Sequence, residues 1–254
     1  MARSGSTLLC KCLGCMDEVA LLSELHPLAW QMFNPLKQAQ EWFGLVTQED
    51  IAGLQKQGRA SYAQAIALIE RRSRERGMTL VLRDWAHLDY TGLPFVKEPG
   101  FRPLLYVELA DSFDIVRLST ARDPVTQWQS LIQLAVMREP LGSGAFNLKR
   151  FLAGYLKYAG LCLETGYVRY EDLLRNPEQT MRDVCERLDI RFDPEFINKW
   201  YGYRTITGDV VNPRTSNRIA MPPKRPVDPA LKEQFLANAD YHRICGMLDY
   251  EILA

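Results

Sequence analysis

The sequence predicts an α/β protein, a three-layer α/β/α arrangement with a central parallel sheet. Two observations carry that expectation. Short buried apolar runs recur along the chain, and each is followed by a helix-start signal. Met78–Arg83 (MTLVLR), Asp114–Thr120 (DIVRLST) and Gly166–Tyr170 (GYVRY) read as strands. After the second, Asp123-Pro124 places an N-cap and an N1 proline before the apolar series Val125, Trp128, Leu131, Ile132 and Ala135. After the third, Asn176-Pro177-Glu178-Gln179 reads as a capping box before Met181, Val184, Cys185 and Leu188.

Three further helices follow from apolar period. One begins near Gly5, with Leu8, Leu9, Cys12, Leu13 and Met16 on one face. Another spans about Arg59 to Arg76, turning Ala63, Ile66, Ala67 and Ile69 inward. Its last turn carries Arg71, Arg72, Arg74 and Arg76 before Gly77, where basic charge complements the helix dipole. A terminal helix is expected near Ala230–Ala239. Tyr201–Pro229 has no period and is rich in Gly, Pro, Asn, Thr and Arg, so it reads as a functional loop facing an anion. The expectation is a single domain over residues 1–254, with 201–229 as a covering loop.

The 254 residues carry 31 Lys+Arg and 31 Asp+Glu, a formal charge of zero. A balanced chain lacks the positive field that nucleic-acid or membrane-surface binding needs, so any anion must be held locally. No uncharged apolar stretch approaches the roughly 18 residues of a membrane helix, and the start lacks the features of a signal peptide. The six cysteines are no disulfide framework. Cys12 and Cys15 form a CxxC pair without a second pair, and only three histidines are present, so a buried helix face is read rather than a metal site. A reducing, cytoplasmic compartment is expected.

Two segments carry anion chemistry. Arg3-Ser4-Gly5-Ser6-Thr7 opens a helix, where glycine permits close approach and the leading N–H groups hold an anion. It lacks the GK[ST] of a Walker loop. Arg122 lies at a strand end and Ser130 stands eight residues on; guanidinium and hydroxyl suit one phosphate.

Together these segments resemble the sulfotransferases that use 3′-phosphoadenosine 5′-phosphosulfate, with the tyrosylprotein and Golgi-type members the closest pattern. In that family an RSGTT-like loop binds the 5′-phosphosulfate, and an R-[DN]-P…S segment of the same spacing binds the 3′-phosphate. Val168-Arg169-Tyr170-Glu171-Asp172-Leu173 and Pro177-Glu178 also look like the family's YEDL-x-x-x-PE element. The resemblance runs from Arg3 to about Pro222. It implies a P-loop NTPase-like sulfotransferase fold whose first strand, normally ahead of the loop, is missing or truncated here. The absence of that strand is expected to expose ladder groups on both neighbours.

What the resemblance implies for the site is specific. Arg3, Ser4, Gly5, Ser6 and Thr7 grip the 5′ end of the donor, and Arg122 with Ser130 the 3′-phosphate. Tyr170 and Trp85 could stack on adenine or acceptor, whereas Trp128, on the apolar stripe, is read as core packing before stacking. Thr215, Ser216 and Arg218 reach the donor from the covering loop. Glu24 is the general base, with His87 the rival, since a histidine follows this strand in the cytosolic branch. Arg3 and Arg83 stabilise charge on the bridging oxygen, Arg83 standing where the family has lysine. The donor is 3′-phosphoadenosine 5′-phosphosulfate, leaving the adenosine 3′,5′-bisphosphate product, and no metal is called for. The acceptor is a hydroxyl on a small molecule, glycan or protein tyrosine. A nucleotide-binding module without turnover and a P-loop kinase are the alternatives.

Overall fold

The structure, a computed structural model, describes residues 1–56, 61–208 and 217–254. Among these, four strands pair in parallel as two couples. β1 (Val19–Leu25) pairs with β2 (Thr79–Asp84), and β3 (Ser119–Ala121) with β4 (Tyr167–Arg169). Helices α1 (Ser6–Gly14), α2 (Pro35–Phe43), α3 (Gln48–Lys56), α4 (Tyr62–Glu75), α5 (His87–Tyr90) and α6 (Leu104–Leu109) precede β3. Between β3 and β4 lie α7 (Pro124–Leu131), α8 (Arg138–Gly142) and α9 (Leu148–Thr165). After β4 come α10 (Tyr170–Arg175), α11 (Pro177–Arg187), α12 (Phe196–Lys199), α13 (Pro229–Leu236) and α14 (Ala239–Leu248). None of the described helices is long and apolar enough to cross a membrane.

The sequence reading lacks β1, and with it helices such as α2, α3, α6 and α9. In VALLSEL the run Val19–Leu22 is short and apolar without alternation, a pattern that a buried helix segment shares. Alternate side chains of β1 enter two cores. Val19 and Leu21 pack with α1, α10 and α11, whereas Ala20, Leu22 and Leu25 pack with α2, α4 and α6. Helices therefore cover both faces of β1, which explains its continuous apolar run. A third core joins α7, α9 and α14.

Several expected boundaries move for local reasons. β3 occupies only the end of the expected strand, because β4 offers it three partners, Ser119 facing Tyr167 through Ala121 facing Arg169. Asp123 caps α7 as read, accepting from the Thr126 N–H at 2.8 Å. Asn176 does not cap α11 with its side chain, and Gln179 bonds Asp183 rather than closing a box. The Asn176 N–H already closes α10 on the Asp172 carbonyl at 2.8 Å, which takes up the donor that a Gln179 side chain would have bonded in a box. The expected terminal helix divides at Asn238, whose side chain caps α14. α4 keeps its basic last turn, and those arginines are engaged locally. Arg72 pairs with Asp50 at 2.6 Å, Arg74 with Glu70, and Arg76 bonds the carbonyls of Phe43 and Gly44.

No described strand precedes the Arg3–Thr7 loop, and β2 and β3 do not pair. On β2, Leu80, Val81 and Leu82 are only half-buried, although β1 beside them is buried. On β3 the expectation fails. The edge of β3 turned away from β4 is satisfied by two tyrosines of α9. Tyr158 Oη accepts from the Thr120 N–H at 3.3 Å and donates to the Thr120 carbonyl at 3.1 Å. Tyr155 Oη accepts from the Arg122 N–H at 3.1 Å and donates to the Arg122 carbonyl. Both rings are buried beside Tyr90 and Phe151. Hydroxyls thus do the work of a neighbouring strand.

Tyr155→Phe keeps the ring and removes this service, leaving the N–H and carbonyl of Arg122 without their partner. The expected loss is about 1–3 kcal/mol of stability, read from denaturant midpoints. An unchanged midpoint would mean that this strand edge finds other partners.

Candidate active site

The Arg3–Thr7 loop is built from left-handed backbone. Arg3 has φ 62° and Gly5 φ 94°, the second within the region that glycine tolerates. A side chain at Gly5 is also excluded by space, since a Cβ there would lie 2.3 Å from the Tyr170 ring. No side chain caps α1, so its leading N–H groups point outward from the loop uncovered by a capping oxygen. Ser4 Oγ ties the loop to β3, 2.7 Å from Thr120 Oγ1.

The two anion segments of the sequence meet here. Arg3 Nε donates to Ser130 Oγ at 2.9 Å, and Arg122 Nη1 donates to the Arg3 carbonyl at 3.2 Å. The Arg122 guanidinium lies 4.7 Å over the Tyr170 ring, the ring that also packs on Gly5. Glu171 supports the join: its Oε1 accepts from the Asp123 N–H at 3.1 Å, holding the start of α7 against α10.

Arg83, near the end of β2, reaches across to the same loop. Its Nη2 donates to Thr7 Oγ1 at 2.9 Å and Ser6 Oγ at 3.3 Å. Its Nη1 donates to Ser23 Oγ and to the Thr207 carbonyl, both at 3.1 Å. Glu24 Oε1 is 3.6 Å from Nη2, with the two side chains only 14% and 11% exposed. A carboxylate, a guanidinium and two loop hydroxyls therefore share one small, poorly hydrated volume.

Glu24 is aimed by a bulge. The pairing of β1 with β2 is regular through Leu22 and Leu82, then shifts before Leu25 meets Asp84. Within the shift Glu24 takes φ 57°, a conformation that is strained for glutamate and common at functional sites. Gln38 of α2 pairs with the backbone of Ser23, the residue before Glu24. Its Oε1 accepts from the Ser23 N–H at 2.7 Å and its Nε2 donates to the Ser23 carbonyl at 2.8 Å. Gly208, at φ 78°, sits directly over Glu24; a Cβ there would lie 2.8 Å from Glu24 Oε1. Gln38, Ser23, Thr207 and Gly208 have no motif, and nothing local in the sequence marks them.

The rival base is less well placed for proton transfer. Burial, with the neighbouring positive charges of the Met1 amino group and Arg83, pushes the His87 imidazole down to about 3, so it is neutral and weakly basic near pH 7. Its ring stands edge-on to Trp85 at 4.9 Å. Nearby, His26, Asp84 and Asp89 bring their ligand atoms within 4.8 Å of one another. His26 Nε2 bonds Asp89 at 3.1 Å and its Nδ1 accepts from the Leu28 N–H at 3.2 Å, which leaves neither nitrogen free to ligate an ion. Asp84 Oδ1 is buried without a hydrogen-bond partner. Burial, then the Asp89 charge, raises the Asp84 carboxyl to about 7.

The remaining expected residues divide. Trp128 packs against Phe146 and Phe151 in the core and does not face the loop. Thr215 and Ser216 lie outside the described residues, and Arg218 is exposed on the segment that follows them. An open cleft lined by Tyr167, Arg169, Asp183 and Arg187 runs along β4 and contains none of the loop, Arg83 or Glu24.

This geometry belongs to a known fold. The chain superposes with a TM-score of 0.69 on the sulfotransferase domain from the curacin biosynthetic pathway, at 20% identity, covering 99% of this chain and 96% of that one. The sulfotransferase domain from the Synechococcus PCC 7002 olefin synthase matches with a TM-score of 0.65 at 17% identity, covering 99% and 92%. The protein thus has the sulfotransferase fold. No protein-family model matches the sequence, and no curated protein matches it significantly.

Asp84 gives the fold a pH dependence. Between its ordinary value of 3.8 and about 7 the folded chain keeps a proton that the unfolded chain has lost. Its stabilisation is full below the lower value and disappears as pH rises through the upper one. His87 acts only below 6.5, where the unfolded chain takes a proton that the folded one refuses, so its loss lies on the acid side. Asp84→Asn is expected to raise the melting temperature by several degrees at pH 8 and by less at pH 5. An equal shift at both values would exclude the carboxyl's ionisation as the cause.

Proposed function

We propose that this protein is a sulfotransferase that moves a sulfuryl group from 3′-phosphoadenosine 5′-phosphosulfate to an acceptor hydroxyl. The observation that carries the reading is Arg83, whose guanidinium joins the Ser6 and Thr7 hydroxyls to the Glu24 carboxylate. We read the two strand couples as flanks of one P-loop-like sheet with helices on both faces. The free thiols of all six cysteines accord with a cytoplasmic setting.

The residues fit such a donor. The uncapped start of α1, its left-handed approach and the cations Arg3 and Arg83 suit the 5′ end. Arg122 and Ser130, adjoining through Arg3, suit the 3′-phosphate, and Tyr170 offers a ring face beside them. Arg218 with Thr215 and Ser216 would close over the nucleotide. Bound there, the donor supplies an electrophilic sulfur and a phosphate leaving group.

The chain's own residues then divide the work. Glu24 accepts the proton of the acceptor hydroxyl as its oxygen forms a bond to sulfur. The bond from sulfur to the 5′-phosphate oxygen breaks with its electron pair, and Arg83 and Arg3 hold the charge that develops on that oxygen. The products are a sulfate ester and adenosine 3′,5′-bisphosphate, with the proton passing from Glu24 to solvent. Gln38 keeps Ser23, and with it Glu24, in place. The trigonal sulfuryl group carries less charge than a transferring phosphoryl, so fixed arginines are suited to stabilising it. We therefore propose no metal.

Glu24→Gln is expected to lower transfer from radiolabelled donor by about 10²–10⁴-fold while changing affinity for the bisphosphate product only a few-fold. Wild-type turnover in that variant would sink the assignment of the base. Arg122→Ala is expected to weaken the bisphosphate far more than adenosine 5′-monophosphate in calorimetric titration. Equal weakening of both would remove Arg122 from the 3′-phosphate.

A further inference from the structure

The two loops that leave β1 and β2 beside Glu24 and Arg83 carry no exposed charge. Residues 26–36 contain a single ionisable side chain, His26, which is fully buried and bonded to Asp89. Residues 85–96 contain three, His87, Asp89 and Tyr90, of which the buried tyrosine is uncharged. Asp89 is buried and bonded both to His26 and to the Leu104 N–H, and His87 is neutral. The first exposed charges beyond these loops are Lys37 and Lys97. In parallel α/β sheets the loops at the carboxyl ends of the strands contact the ligand, so these two face whatever brings its hydroxyl to Glu24.

What the loops present instead is apolar. Leu28 and Met32 are each 60% exposed and Phe95 49%. Leu28 and Met32 lie on the short 3₁₀ segment and turn after β1, which the Met32 and Phe33 N–H groups close on the Ala29 carbonyl. The Phe33 ring stands edge-on to Trp85 at 4.9 Å, and Trp85 to Phe95 at 5.8 Å. Trp85 is anchored at the site, its N–H bonded to the carbonyl of Leu25, the residue after Glu24, at 2.9 Å. Clustered exposed apolar groups of this kind mark a binding surface.

We infer that the acceptor hydroxyl is carried on an apolar skeleton, alkyl or aromatic, that lies over Leu28, Met32, Phe33, Trp85 and Phe95. The inference rests on the sulfotransferase reading above, and the transfer is the balanced step given there. A glycan acceptor needs fixed donors and acceptors for its many hydroxyls, and an acidic tyrosine peptide needs cations; these loops offer neither set. An apolar chain or ring loses water against them at no polar cost.

The test uses the full chain with radiolabelled donor and a matched set of acceptors: butan-1-ol, hexan-1-ol, octan-1-ol, 2-naphthol, glucose and an acidic tyrosine peptide. Binding of adenosine 3′,5′-bisphosphate is titrated in parallel. We expect kcat/KM to rise by about three-fold per added methylene across the alcohols, with glucose and the peptide at least ten-fold below octan-1-ol. Met32→Glu is expected to raise KM for octan-1-ol at least ten-fold, with kcat within a few-fold and bisphosphate affinity unchanged. Flat dependence on chain length, preference for glucose or the peptide, or bisphosphate binding without transfer to any alcohol overturns the acceptor class and spares the donor site. Failure to bind the bisphosphate overturns the parent reading and this inference with it.

Discussion

Arg83 holds the site together. Its guanidinium donates in two directions, to the hydroxyls of Ser6 and Thr7 on one side and to Ser23 and the Thr207 carbonyl on the other, with Glu24 alongside. A planar fork can serve separate partners at once, which the point charge of an ammonium does less well. The replacement of the lysine of the related motif is therefore more than a retained charge. It ties the loop before α1, the bulge of β1 and the segment at Thr207 into one unit, and each of those depends on the others for its position.

The strain in that unit is local and supported. Arg3 and Glu24 hold left-handed backbone that non-glycine residues seldom adopt. Each is pinned by a side chain from elsewhere: Ser130 and Arg122 on Arg3, and Gln38 on the residue before Glu24. Gln38 pairs with the Ser23 backbone as a neighbouring strand would, because an amide side chain offers the same donor and acceptor pair as a strand backbone. The proposed base is thus presented by a buried framework, while the loops that leave β1 and β2 beside it carry no exposed charge.

The same economy operates at β3. Its unpaired edge would be costly inside the core, yet Tyr155 and Tyr158 pair with it from α9. β2 has no such service on its apolar residues and stays half-buried. The two strand couples therefore meet their outer edges in different ways, one by hydroxyl pairing and the other by partial exposure.

Features encoded by near neighbours were legible in the sequence. The glycine-containing loop ahead of α1, the Asp123-Pro124 start of α7, β2 and the body of α4 each follow from capping chemistry, proline geometry or apolar period within one short window. β1 was not legible, because a short apolar run such as Val19–Leu22 suits strand and helix alike. Nor was the failed cap at Asn176, which α10 had already engaged. Composition and local pattern determined the α/β class and the two candidate anion segments, whereas the candidate carboxylate came from the resemblance to a family. Only the packed chain decided that Arg3 meets Ser130 across 127 residues, that Gln38 pairs with the Ser23 backbone, and that tyrosines take a strand's place. The reason is physical: hydrogen bonds between distant segments depend on where whole elements come to rest, and no periodicity within a segment encodes that.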